Sequence, residues 1–204
     1  MKVLGISVLR YQADTPEPVM LVQSTYLDDF GFFQRGTVKE MITFFAKTIT
    51  QRTPAGSRQS VQNEEYYVHV YMRSDGLCGC VTCDSEYPAR VAFTLLSKIL
   101  EDFDTNHAAG TAKSWVGVKE DDCIIYPALD AAIEKYQNPA EADQITRIQQ
   151  NLDDTKEVLH NTIDSVLQRG EKLEDLVERS GELSAQSKLF YKQAKRANSC
   201  CAVI

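Results

Sequence analysis

Sixteen residues spaced alternately three and four apart run through the last third of this 204-residue chain. They are Ile145, Ile148, Leu152, Thr155, Leu159, Thr162, Val166, Arg169, Leu173, Leu176, Ser180, Leu183, Ser187, Phe190, Ala194 and Ala197. All but Arg169, in the middle, are apolar or small. A 3.5-residue period held this long is the pattern of a coiled coil, in which one stripe of each helix faces its partners. Glu141 to Ala197 contains no proline and only two glycines, Gly170 and Gly181. The spacing therefore predicts one long helix, roughly 80 Å if unbroken at ~1.5 Å per residue. A guanidinium on a buried seam is costly unless its donors are met. The best-attested use of a polar seam residue is to fix register and partner choice. The stripe thus asks for partner helices bearing acceptors at the level of Arg169. The plainer alternative is a rod or homodimer, with Arg169 at a stutter.

The preceding residues read differently. Val3 to Arg10 and Met20 to Thr25 are expected strands, separated by a loop with Pro16 and Pro18. Thr37 followed by Glu40 is a capping box and predicts a helix from Thr37 to Thr50. Val38, Met41, Ile42, Phe45 and Ile49 fall on its core face. At ~100° per residue, Phe44 lies roughly 115° from the centre of that stripe. It is expected to face elsewhere, as an apolar patch. Tyr66 to Arg73 and Leu77 to Cys83 flank Asp75-Gly76, a hairpin signal. A second helix follows Pro88, with Ala92, Leu95, Leu96, Ile99 and Phe103 inward, and a third is expected at Tyr126 to Tyr136. This order predicts an α+β domain with a mainly antiparallel sheet flanked by helices. Asn138-Pro139 marks the boundary. The expected organisation is a domain at 1–137, a coiled-coil segment at 138–199 and a tail at 200–204.

Charge and motif content exclude several functions. The formal net charge of −7 argues against bulk nucleic-acid binding, which needs clustered cations. The cations Lys188, Lys192, Lys195 and Arg196, with no acid after Glu182, instead suit an anionic membrane surface. No run approaches the ~20 apolar residues of a spanning helix. Met1 to Leu9 reads as a strand rather than an export signal, so cytosolic synthesis with reduced thiols is expected. Cys78, Cys80 and Cys83 lack the spacing of a metal site and are expected to pack as small hydrophobes. Cys123 is expected in the core. No metal or cofactor is implied, and no nucleophile–base pair is evident. The absence of G-x-x-x-x-G-K-[ST] excludes the small GTPases. Cys201-Ala202-Val203-Ile204 fits the C-a-a-X prenylation signal, and Cys200 is placed for a palmitate. Terminal Ile204 lies outside the residues usual for either prenyl chain.

The stretch Val166-Leu167-Gln168-Arg169-Gly170-Glu171-Lys172-Leu173 resembles the central motif of R-SNAREs. The segments Gly31-Phe32-Phe33-Gln34-Arg35 and Glu86-Tyr87-Pro88 look like a longin domain, which is profilin-like. With its tail, the chain resembles the prenylated longin-domain R-SNAREs, the YKT-type synaptobrevin homologues. The resemblance implies that Arg169 faces three glutamines from three Q-SNARE helices, with Ile145 to Ala197 as the stacked layers. It also implies a farnesyl group, a patch at Phe44 that receives the folded-back SNARE segment or the lipid, and a role in vesicle fusion. The expected setting is the cytoplasm and the cytosolic face of Golgi, vesicle and endosomal or vacuolar membranes. Rival expectations are a lipid-anchored tether whose coiled coil never enters a fusion bundle, and an acyltransferase.

Overall fold

The computed structural model describes residues 2–12, 17–107, 114–140 and 157–200, with side chains through Arg196. Val3–Arg10 (β1) is buried at every position and pairs antiparallel with Val19–Thr25 (β2) on one side. On its other side lies Leu77–Asp84 (β5), also antiparallel. Arg58–Asn63 (β3), Tyr66–Met72 (β4) and β5 form a meander. At the β4–β5 turn Gly76 has φ +91°, and a Cβ there would meet the Tyr11 carbonyl oxygen at 2.5 Å. The turn therefore requires glycine.

Sequence patterning missed β3, and its composition explains why. In Arg-Gln-Ser-Val-Gln-Asn only Val61 is aliphatic, yet Arg58, Gln59, Ser60 and Val61 are all buried. The Gln59 and Ser60 side chains find partners inside the fold. Gln59 Nε2 donates to Thr53 Oγ1 at 2.5 Å, and Ser60 Oγ lies 2.8 Å from His69 Nδ1. A strand covered on both faces and bonded along both edges shows no polar–apolar alternation.

Two helical layers cover the sheet. Ala89–Asn106 (α2) and Ala128–Lys135 (α3) pack on one face, in a core that includes Ile6, Val8, Val81, Leu96 and Phe103. The five expected inward residues of α2 are all buried. Phe32–Gln51 (α1) packs on the opposite face with Leu9, Val68, Val70, Cys78 and Cys80. It starts five residues before Thr37. Arg35 holds the preceding loop by donating to the Phe30 and Asp28 carbonyls, and the Glu40 carboxylate bonds elsewhere instead of capping. Cys123 is exposed rather than in the core. Its segment lies along the free edge of β2, where Asp122 N–H donates to Met20 O and Ile124 N–H to Leu21 O. That backbone pairing leaves Cys123 outside.

The largest correction concerns the coiled-coil segment. Over the described residues it is not one helix. Val158–Thr162 is a strand (β6) running parallel to β3, which makes a mixed sheet of order β2-β1-β5-β4-β3-β6. Short helices follow at Ile163–Val166 (α4) and Leu173–Arg179 (α5), then a longer one at Ala185–Cys200 (α6). Two of the three breaks fall at glycines, Gly170 at φ +90° between α4 and α5 and Gly181 between α5 and α6, while β6 gives way to α4 at Thr162 without one. A seam without partner helices has no coiled coil to enter. Its apolar residues here bury against the sheet and α1 instead, and the chain bends at its weakest helical positions to reach them.

Candidate functional site

The site is the surface between α1 and residues 158–196. It begins at the sheet edge, where β6 supplies backbone partners to β3 from Arg58 to Gln62. Asn161 Nδ2 adds a bond to Gln59 Oε1 at 3.2 Å. Thr162 then caps α4 with Ser165 in a reciprocal box. Past the turn, Ile163, Leu173, Val177 and Leu183 are buried in one cluster with Met41, Phe44 and Ile49. Phe44 also lines a cavity with Leu176 and Gly181. It is only 7% exposed, on a side of α1 that the segment covers. Each aliphatic side chain buried in this way contributes about 1.5–3 kcal/mol.

Polar contacts ring this apolar centre. Lys47 is nearly buried and pairs with Asp121 at 2.5 Å and with Glu182. Burial alone would lower its pKa, but the two carboxylates outweigh it and hold the ammonium raised. Arg52 Nη2 bonds Glu171 Oε2 at 3.0 Å, and the same carboxylate accepts Gln168 N–H at 2.9 Å.

At the start of α6, Ser184 Oγ accepts the Ser187 N–H, as a cap does. The Glu40 carboxylate lies beneath it. One oxygen accepts Ser184 N–H at 2.9 Å and Ser187 Oγ–H at 2.7 Å. Burial pushes the Glu40 carboxyl up, but these donors outweigh it and leave it lowered. An anion from the folded domain thus caps a helix of the heptad segment. Sequence reasoning missed Glu40 in this role, having assigned it to Thr37. The one available signal was a serine pair three residues apart, at Ser184 and Ser187, in want of an acceptor.

Farther along α6, Phe190 packs with Leu4, Leu27, Val38 and Ile42. An apolar cleft of about 280 Å³ opens there, lined by Phe30, Phe45, Tyr66, Phe190 and Ala194 among others. Phe45 is half-buried, packed against the core of Met41, Phe44 and Val68 and lining this cleft as well.

The stripe residues are thus unequally placed. Leu173, Leu183 and Ser187 are buried, while Val166, Leu176, Ser180, Phe190 and Ala194 are half-buried. Leu159, Thr162 and Arg169 are exposed. Ile145, Ile148, Leu152, Thr155 and Cys201 lie outside the described residues, as do the side chains of Ala197 and Cys200. Elsewhere, Cys78 and Cys80 are buried beside the Thr50 hydroxyl, and burial pushes the Cys78 thiol up. The Ser60–His69 contact is a nucleophile–base type pair that sequence reasoning did not find. Both residues are buried, and burial lowers His69 to about 4, so the contact ties β3 to β4.

A longin-type α/β sheet joined to a heptad segment defines a class of protein, and comparison with known proteins agrees. The longin family, described as a regulated-SNARE-like domain, matches residues 27–117, and the synaptobrevin family matches residues 144–201. The synaptobrevin homolog ykt6 of Schizosaccharomyces pombe is 49% identical over 204 residues, the full length of both chains. The VAMP-like protein YKT61 of Arabidopsis thaliana and the synaptobrevin homolog YKT6 of Saccharomyces cerevisiae are each 47% identical, again over the full length of both chains. The chain belongs to the Ykt6 family of synaptobrevin homologues. Among the described residues no helix is long and apolar enough to cross a membrane.

Proposed function

We propose that this chain is an R-SNARE that docks and fuses transport vesicles, with the folded-back form as its inactive state. The observation that carries this reading is double use. Leu173, Leu183 and Ser187 belong to the coiled-coil stripe, yet the longin domain already buries them. A seam residue so covered is not free to pack against partner helices, so assembly requires release. Once released, the stripe from Ile145 to Ala197 forms one helix, joins three Q-SNARE helices and sets Arg169 among their glutamines. Zippering toward the anchors buries the apolar layers and draws two bilayers together.

The anchor is a prenyl chain on Cys201, farnesyl by family resemblance, joined by palmitate on Cys200. One chain holds a protein marginally and two hold it stably. Reversible acylation thus separates a cytoplasmic pool from one on the cytosolic face of Golgi, vesicle and endosomal or vacuolar membranes. Off the membrane, the cleft beside Phe190 and Ala194 offers the prenyl chain apolar cover. The steps served are ER–Golgi, Golgi and endosomal or vacuolar transport, and none requires a cofactor.

Mixing the full chain with three Q-SNARE helices tests the reading. An equimolar, heat-resistant four-helix complex is expected, formed faster by Phe44→Glu and by Val177→Asp, whose residue is buried against the longin domain but lies outside the coiled-coil stripe. The second variant leaves the longin core untouched, which guards against a folding defect in the first. Homodimers with no mixed complex would favour the tether instead.

A further inference from the structure

The α5–α6 hairpin places acids and bases together that a continuous helix keeps apart. Lys192 Nζ pairs with Glu178 Oε2 at 2.6 Å, and Lys195 pairs with Glu174. Lys188 Nζ donates to the Glu178 carbonyl oxygen at 2.8 Å. Glu178 and Lys192 are 14 positions apart, and Glu174 and Lys195 are 21 apart. In one helix those separations are roughly 21 and 31 Å, beyond any side-chain contact. These pairs exist only while the segment is folded back.

We propose that Lys188, Lys192, Lys195 and Arg196 form a binding face for anionic lipid bilayers, and that the α5 carboxylates mask it in the folded-back form. The inference rests on the lipid-anchored reading above and adds a second, electrostatic attachment to it. The helix geometry suits the role. At ~100° per residue the four cations fall within about 100° of arc. Their centre lies roughly 160° from that of Ser187, Phe190 and Ala194, the coiled-coil stripe. The basic face therefore points outward while the stripe is engaged with partner helices. Leu189, 56% exposed, borders Arg196 on this side and adds an apolar contact of the kind interfacial helices use.

The pairing cancels charge more than it holds structure. The side chains of Lys192 and Glu178 are both more than half exposed, and pairs so open contribute little to stability. The Lys192 ammonium nevertheless holds the Glu178 carboxyl below its usual range, so the carboxylate stays charged opposite it. Opening separates the partners and frees the cations, in a chain that is otherwise acidic. Anionic bilayers attract such residues at short range, and salt screens the attraction. Membrane affinity thereby follows conformation, before any acyl group is added.

The test uses the full chain carrying Cys200→Ser and Cys201→Ser, so that no lipid contributes. It is sedimented with phosphatidylcholine vesicles made with or without phosphatidylserine. Glu174→Gln with Glu178→Gln should raise binding to the phosphatidylserine vesicles roughly five-fold per freed cation. The rise should vanish in high salt and be absent on neutral vesicles. Adding Lys192→Ala with Lys195→Ala should return binding to the parent level. Phe44→Glu, which opens the hairpin by another route, should bind as the glutamine variant does. Unchanged binding of the glutamine variant, an equal rise on neutral vesicles, or no loss on removing the lysines would each overturn the masking. Scattering on the same proteins keeps the two readings distinguishable. A Phe44→Glu chain as compact as the parent defeats the inactive-state reading, while the glutamine and alanine variants still decide the masking.

Discussion

Glu40 and Arg169 are opposite cases of what one residue reveals. Glu40 bonds the start of α6 in the folded-back form, so its value depends on its charge. Its carboxyl pKa is lowered in the fold, so the contribution is fully present above the unfolded value of 4.5. It is lost as pH falls through the lowered folded value. Glu40→Gln should therefore destabilise the folded-back chain by about 1–2 kcal/mol at neutral pH, allowing for partial exposure. The difference in melting temperature from the parent should shrink to nothing in acid, and a difference constant with pH would rule out the ionic cap. Arg169 is exposed, and its removal should change monomer stability by less than ~0.5 kcal/mol. Arg169→Ala should nevertheless weaken the four-helix complex by ~1–3 kcal/mol for each acceptor left unmet. Titration of the Q-SNARE helices with both proteins separates the two effects. The sequence made Arg169 conspicuous because it interrupts a stripe. Glu40 was not conspicuous, since an acid near a helix start already has a local explanation.

Among the elements, legibility followed how many surfaces each one faces. The interior strand β1, paired on both sides, has only apolar or small residues before Arg10, and its bounds were readable to the residue. Met20–Thr25 and Leu77–Cys83 were each short by one residue. β3 was invisible because three of its four buried side chains are polar and it is paired along both edges. α1 is buried around most of its girth, with Val38, Met41, Ile42 and Ile49 as expected and Phe44, Lys47 and Thr50 besides. A single apolar stripe accounts for only part of that burial, and the offset of Phe44 was the sign of a second contact. The heptad segment misled for a physical reason. Its period specifies a seam for partner helices, and the same side chains also fit a strand and three helices against the longin domain. β6 is the element that distinguishes the two arrangements. Asn161→Pro fixes φ within β6, loses the Asn161 Nδ2 bond to Gln59 Oε1, and should release the segment while β1 to β5 stay folded. Faster amide exchange in β3 and α6, with β1 unchanged, is the expected signature, and uniform protection would show that β6 does not help hold the segment.

For the whole molecule, the proposed function has two conformations sharing one set of apolar residues, so that what binds either form would shift the other. On that proposal, partner helices would draw the segment out by burying the stripe, and the longin domain would oppose them with the same stripe. The proposed prenyl chain would add a further apolar surface, which needs either a bilayer or the cleft near Phe190. The two cysteines should therefore behave unequally. Cys201→Ser removes the prenyl site, and the chain should become wholly cytosolic even with Cys200 intact. Cys200→Ser keeps one lipid, which is marginal alone, so the chain should wash from membranes that retain the parent. Opening should then matter most for this single-lipid form. Phe44→Glu added to Cys200→Ser frees the prenyl chain from the cleft and should return part of the protein to the membrane fraction. The same change added to Cys201→Ser has no prenyl chain to free and should recover far less. Fractionation of these four proteins beside the parent checks the order of events. Cys201→Ser still firmly bound would overturn the prenyl anchor, and equal recovery in both backgrounds would show that the longin domain does not shelter the lipid.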